Sequence, residues 1–170
     1  MPTTPNLAGF QWFLVNVAAI DTVNLPPTAP VVAFAFNVAL GIVNPLLCGV
    51  CIPNQQNSPY TRSQFDIAVY NLATDFVINW AVDPPGANVF STRPDGTEMT
   101  FFEYLRFKWG IGNAHFGVVG SVSDVSTTTS IEVIEAAKTF TLGNLQNLKT
   151  PYGRTYLAIA QSYGALWGLT

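Results

Sequence analysis

Apolar and polar positions fall into blocks along this chain, and most blocks carry a helical period. Phe65, Ala68, Val69, Leu72, Ala73, Phe76, Val77 and Trp80 recur at three- and four-residue steps, the signature of one helical face. Thr61 and Gln64 form a T-x-x-Q capping pattern ahead of them, and Asp83-Pro84-Pro85-Gly86 ends the run. Asp66 and Asp75 are expected mostly off the apolar face. Upstream, Leu7 to Ile20 predicts a first apolar helix opened by Pro5-Asn6. Asn24 to Pro30 is a proline-rich connection. Thr28 is expected to cap a second helix through Val43, with Pro30 tolerated in its first turn. A loop rich in Asn and Gln follows, from Pro53 to Tyr60. A second capping pattern, Thr100 with Glu103, predicts a helix through Trp109, stopped by Gly110, Gly112 and Gly117.

From Val118 to Ile134 the period changes. Val118, Gly120, Val122, Asp124 and then Thr127 to Ile134 alternate small, β-branched and polar residues, which predicts a hairpin turning near Asp124–Thr128. Its Ser and Thr faces suit a strand that pairs with a neighbour through its backbone. Thr141 is expected to cap a short helix to Lys149. Thr150, with Pro151 at the first helical position, is expected to cap the last one, to Tyr163. The expected fold class is mainly α: a helical bundle of about four to five helices with a β-hairpin or extended arm between the fourth helix and the C-terminal helices. The 170 residues read as a single domain, with 83–99 as a loop insertion containing turn chemistry at Pro94-Asp95-Gly96, and 164–170 as a C-terminal tail.

Composition changes this picture. Charged residues make up 10% of the chain, where about 25% is usual. Hydrophobic residues make up 49%, which excludes intrinsic disorder. Seven Lys and Arg against ten Asp and Glu give a net charge of -3 without a basic cluster, which argues against ordinary nucleic-acid binding. So little charge implies that protein neighbours or a membrane cover part of the surface. Residues 22–61 hold no charge at all, and Val31 to Ile52 is long enough to span a bilayer. Asn37, Asn44 and Pro45 interrupt that run, and no Lys or Arg flanks it closely, so a neighbour-buried helix is the favoured expectation over a membrane span. No basic segment precedes the first apolar stretch, so a cleaved signal peptide is not expected.

Candidate chemistry is sparse. Cys48 and Cys51 form a C-x-x-C, but the chain offers one histidine and no third cysteine to complete a zinc site. They read as small thiols in an apolar turn. His115 sits among glycines with no nucleophile elbow nearby. Gly110, Gly112 and Gly117 lack the spacing of a phosphate-binding loop. The acidic pairs Asp95/Glu98 and Glu132/Glu135 read as solvated carboxylates. Trp12, Trp80, Trp109 and Trp167 fall at apolar positions or in the tail and read as packing residues. No catalytic, cofactor-binding or metal site is expected.

One resemblance gives these patterns a direction. Thr61 to Trp80 is followed by Phe101-Phe102-x-x-Leu105-Arg106, then Gly117-Val118-Val119-Gly120-Ser121-Val122-Ser123-Asp124 and Ser126-Thr127-Thr128-Thr129-Ser130. The end reads Leu142-Gly143-Asn144-Leu145-Gln146-Asn147-Leu148-Lys149-Thr150-Pro151-Tyr152-Gly153-Arg154-x-Tyr156-Leu157. Over residues 61–163 this order resembles the head–tail adaptor (connector) proteins of tailed bacteriophages, and T-P-Y-G-R-x-Y is its most specific part. The resemblance implies a homo-oligomeric ring, commonly a dodecamer, in the virion neck beneath the portal protein. Such a ring extends the channel, passes genomic DNA without sequence-specific binding, and docks the next neck or tail protein. A subunit walled in by ring neighbours can do without most surface charge, and few cations let DNA slide.

Expected subunit or partner contacts are Val118, Val119, Ser121, Val122, Asp124 and Ser126 by strand addition. Tyr152, Arg154 and Tyr156 are expected as an anchor with polar tips outward. Leu166 and Trp167 are expected to dock from the tail. Two other readings stay open: another neck or tail-completion protein, and a single-span membrane protein using residues 31–52. An enzyme ranks below both for want of a site.

Overall fold

Asn6 starts α1 (Leu7–Asn16) by accepting the Gly9 N–H on its side-chain oxygen at 2.8 Å. This computed structural model describes residues 5–49, 63–84, 86–111, 121–124, 127–130 and 149–162. The apolar pattern predicted α1 through Ile20, but the helix ends at Asn16. Ala19 takes a left-handed backbone (φ 53), and Ile20 folds back into the core, where its N–H bonds Leu14 O at 2.9 Å.

α2 (Pro30–Ile42) begins one residue later than expected. Ala29 is its N-cap and makes no side-chain bond, so the expected Thr28 cap is absent. Pro30 stands at the first helical position, where the missing N–H costs nothing. Val43 leaves the helix in an extended conformation, and a 3₁₀ turn follows at Pro45–Gly49. The 13 residues of α2 rise about 20 Å, short of the roughly 30 Å hydrocarbon layer. Among the described residues, no helix is long and apolar enough to cross a membrane.

α3 (Gln64–Trp80) is the hub. It packs against α2, against α5 (Pro151–Ser162), against the 3₁₀ turn, and against α4 (Phe101–Lys108) and α1. Its cap is Ser63 with Asp66, not Thr61 with Gln64. The Asp66 N–H bonds Ser63 Oγ at 3.1 Å, and the Ser63 N–H bonds Asp66 Oδ2 at 3.0 Å. Every residue from Phe65 to Ile78 except Ile67 is buried. Asp66 and Asp75 are therefore buried too, against the expectation that they would lie off the packed face. A helix enclosed by neighbours has little polar side on which to place them.

The core is aromatic at one end. Tyr70 lies 6.1 Å from Phe10, 5.8 Å from Phe13 and 6.4 Å from Phe36, ring centre to ring centre. Its hydroxyl accepts the Asn6 N–H at 3.3 Å, which ties the start of α1 to α3.

Residues 83–99 were expected to be irregular; instead, a small hairpin forms within them. β1 (Ser91–Thr92) pairs antiparallel with β2 (Glu98–Met99). The turn between them has Gly96 at φ 85, and Asp95 Oδ1 accepts the Thr97 N–H at 2.9 Å. The Thr100–Glu103 cap of α4 is present, with the Thr100 N–H on Glu103 Oε2 at 3.0 Å. Asp83 joins it, taking the Thr100 hydroxyl at 2.7 Å and the Phe102 N–H at 3.2 Å. β3 (Ser121–Asp124) and β4 (Thr127–Ser130) form a second antiparallel pair, with Asp124 opposite Thr127. The described residues are thus mainly α-helical, with two short ribbons. Of the helix expected at 141–149, residues 141–148 lie outside them, as does the tail at 164–170.

Candidate functional site

Two features of the described residues exceed what folding alone requires: an outward apolar face and a buried carboxylate.

The apolar face starts with α2. Its inner side buries Val32, Ala35, Phe36 and Ala39. Its outer side carries Pro30, Phe34, Asn37, Leu40 and Gly41, all uncharged. Phe34 is 60% exposed, and Ile42 at the helix end is also open. Trp80, at the end of α3 and 40% exposed, lies 5.5 Å from Phe34 and stacks on Phe76 at 4.4 Å. Solvent-facing helix sides are ordinarily charged or polar, and this one carries no charge.

The expected contact residues divide into three groups. Val118, Val119, Ser126, Leu166 and Trp167 lie outside the described residues. Ser121, Val122 and Asp124 stand together on β3, in register with Ser130, Thr129 and Thr127. Tyr152, Arg154 and Tyr156 share α5. Arg154 is exposed and Tyr156 is buried in the core. Tyr152 is half-buried, edge-on to Trp109, and its hydroxyl donates to Ala18 O at 3.4 Å. The expectation of two outward tyrosine tips is thus not met. Tyr152 instead reaches Ala18 just beyond α1, and burial pushes both phenols above their ordinary pKa.

The carboxylate is Asp75, fully buried in the middle of α3. Thr150, equally buried, bonds Asp75 Oδ1 through its hydroxyl, and Asn79 Nδ2 donates to Asp75 Oδ2 at 3.1 Å. Thr150 Oγ1 also accepts the Gly153 N–H at 2.9 Å, so the expected cap of the last helix is present. Burial pushes the Asp75 carboxyl up to about 7, against the two hydrogen bonds that favour its charge. Asp75 was expected off the packed face and not as a buried group. Its available signal was an acid inside a run with almost no polar face.

Arg106 was legible only as part of the resemblance. Its Nε donates to Ile78 O at 2.9 Å, and its second nitrogen bonds Ala81 O. It closes the C-terminal end of α3, where carbonyls lack helical partners.

The remaining candidates carry little chemistry. Asp95 is exposed in its turn, with its carboxyl held below the usual range by the Thr97 N–H. Cys48 stands in the 3₁₀ turn, whereas Cys51, His115, Glu132 and Glu135 lie outside the described residues. A shallow groove lined by Gln11, Leu14, Ile20, Thr22, Leu25 and Val32 presents no acid or base. Among the described residues, no group of three or more His, Cys, Asp or Glu could hold a metal ion.

No family model matches the chain, and no curated protein or solved structure matches it either.

Proposed function

We propose that this chain is a structural subunit of a tailed-phage virion, forming a head–tail adaptor ring in the neck between portal and tail. The single observation that carries the reading is the uncharged outer side of α2, continued by Trp80, in a chain with only 10% charged residues. Copies of the same subunit in a closed ring cover such a face without asking it to meet a charged partner. The architecture proposed for the subunit is a helical bundle centred on α3, with β3–β4 as an arm between α4 and α5. An antiparallel ribbon offers backbone groups for strand addition by a neighbour. The start of α5 at Thr150-Pro151-Tyr152-Gly153 carries the most specific part of the resemblance. Its role in this reading is to fix the last helix on the subunit body, with Arg154 turned outward.

The test is the mass of the detergent-free chain by light scattering, alone and mixed with its cognate portal protein, with negative-stain imaging of the main peak. Rings of about a dozen subunits, alone or on the portal, are expected. A chain that stays monomeric in both samples, or remains in membranes until detergent is added, overturns the proposal.

A further inference from the structure

The Asp75–Thr150 pair joins elements far apart in the chain, its two partners 75 positions from each other. Both side chains are 0% exposed. The Thr150 hydroxyl faces two ways: towards Asp75 Oδ1, and towards the Gly153 N–H at the first turn of α5. A hydroxyl has one proton and two lone pairs. With one lone pair on Gly153, it can donate its proton to a carboxylate, or keep it and accept one from a neutral carboxyl group. The link can therefore be made in either protonation state, but a buried site strongly disfavours the charged one.

We propose that Asp75 and Thr150 form a proton-dependent latch that fastens the start of α5 to α3, tightened when the Asp75 carboxyl is neutral and loosened when it ionises. This device goes beyond the neck reading and does not rest on it. Asp75 titrates near 7 in the latched state and near the ordinary carboxylate value of 3.8 when hydrated. Between those values the latched form holds more protons. Its advantage is complete below about 4, is lost as pH rises to about 7, and changes no further above that.

The surrounding elements carry other titratable groups. α1 and α2 carry none. The 3₁₀ turn brings Cys48. On α3 itself, Asp66 serves the N-terminal cap and the Tyr70 hydroxyl meets the Asn6 N–H. α4 brings Glu103, which holds its own cap, with Tyr104, Arg106 on Ile78 and Ala81, and Lys108 beside Trp109. Lys149 bonds Gly110 O at 2.6 Å. On α5, Tyr152 turns to Ala18, Tyr156 enters the core and Arg154 is exposed. Asp83, beyond the end of α3, holds Thr100 and Phe102.

The test compares hydrogen-exchange protection of the α5 amides at pH 5 and pH 8 in the full chain, corrected for intrinsic exchange, for wild type and Asp75→Asn. Wild-type protection is expected to fall from pH 5 to pH 8 by up to about a hundred-fold relative to Asp75→Asn. Equal pH dependence in the two chains overturns the latch. A second readout needs no variant: carboxyl-carbon NMR of the wild-type chain. A midpoint near 7 for Asp75 supports the latch, and one near 4 overturns it.

Discussion

Replacing Arg106 with Met tests how α3 is terminated. The last carbonyls of a helix lack intrahelical N–H donors for their lone pairs. In α3, Val77 O receives the Ala81 N–H at 2.8 Å, which leaves Ile78 and Ala81 to the Arg106 guanidinium. Met keeps much of the aliphatic stem and removes every donor. Each hydrogen bond from a charged group contributes about 1.5–3 kcal/mol, and the cation gains about 0.3–1 kcal/mol more from the helix dipole. Arg106 is only half-buried, so water replaces part of the loss when the donors go. The expected net cost of Arg106→Met is about 2–4 kcal/mol. For a chain of this size that lowers Tm by roughly 5–15 °C. Arg106→Lys, with a charge but no fork, should recover about half of it. The assay is urea unfolding at pH 7 followed by circular dichroism, with equal slopes required for comparison. If Arg106→Met matches wild type within about 0.5 kcal/mol, the guanidinium is not what closes α3.

Two further substitutions probe the start of α3 and the aromatic cluster that α1 packs on it. Phe10→Ala removes a fully buried ring from the cluster around Tyr70 and should cost about 3–5 kcal/mol in a urea melt, whereas a loss below about 1 kcal/mol would mean the site collapses freely. Ser63→Ala deletes the acceptor of the Asp66 N–H and should cost about 1 kcal/mol by the same melt, with Thr61→Ala close to neutral. The opposite order would return the cap to Thr61.

The helical segments were largely legible because their signals are local. The spacing from Phe65 to Trp80 named α3, and Thr100-x-x-Glu103 named α4 with its cap. Thr150-Pro151 marked the first turn of α5. The start of α3 was misread because two capping patterns overlap. Thr61-x-x-Gln64 and Ser63-x-x-Asp66 both satisfy the rule, and which serine or threonine caps depends on where the chain enters the core. The end of α1 was misread because Val17, Ala18 and Ile20 continue the apolar run, and the break falls on an alanine, a residue with no preference for φ 53. β1 and β2 are two residues each, too short for alternation to show. Of the site, the inner face of α2 was legible as apolar, and its uncharged outer side followed from the charge-free run 22–61. Asp75 was not legible, because what defines it is Thr150, and no local pattern joins positions so distant.

That distance also has a meaning in time. A ribosome adds about 5–20 residues per second. The 75 positions from Asp75 to Thr150 therefore take roughly 4–15 s to make. Throughout that interval α5 has not been made, and an Asp75 still open to water would carry an ordinary carboxylate's charge. Such a solvated anion on a surface that will later be core would deter premature burial or pairing with another unfinished chain. The charge has to be masked only when Thr150 arrives. Synthesis order, and not only the final packing, gives an acid at the centre of α3 something to do.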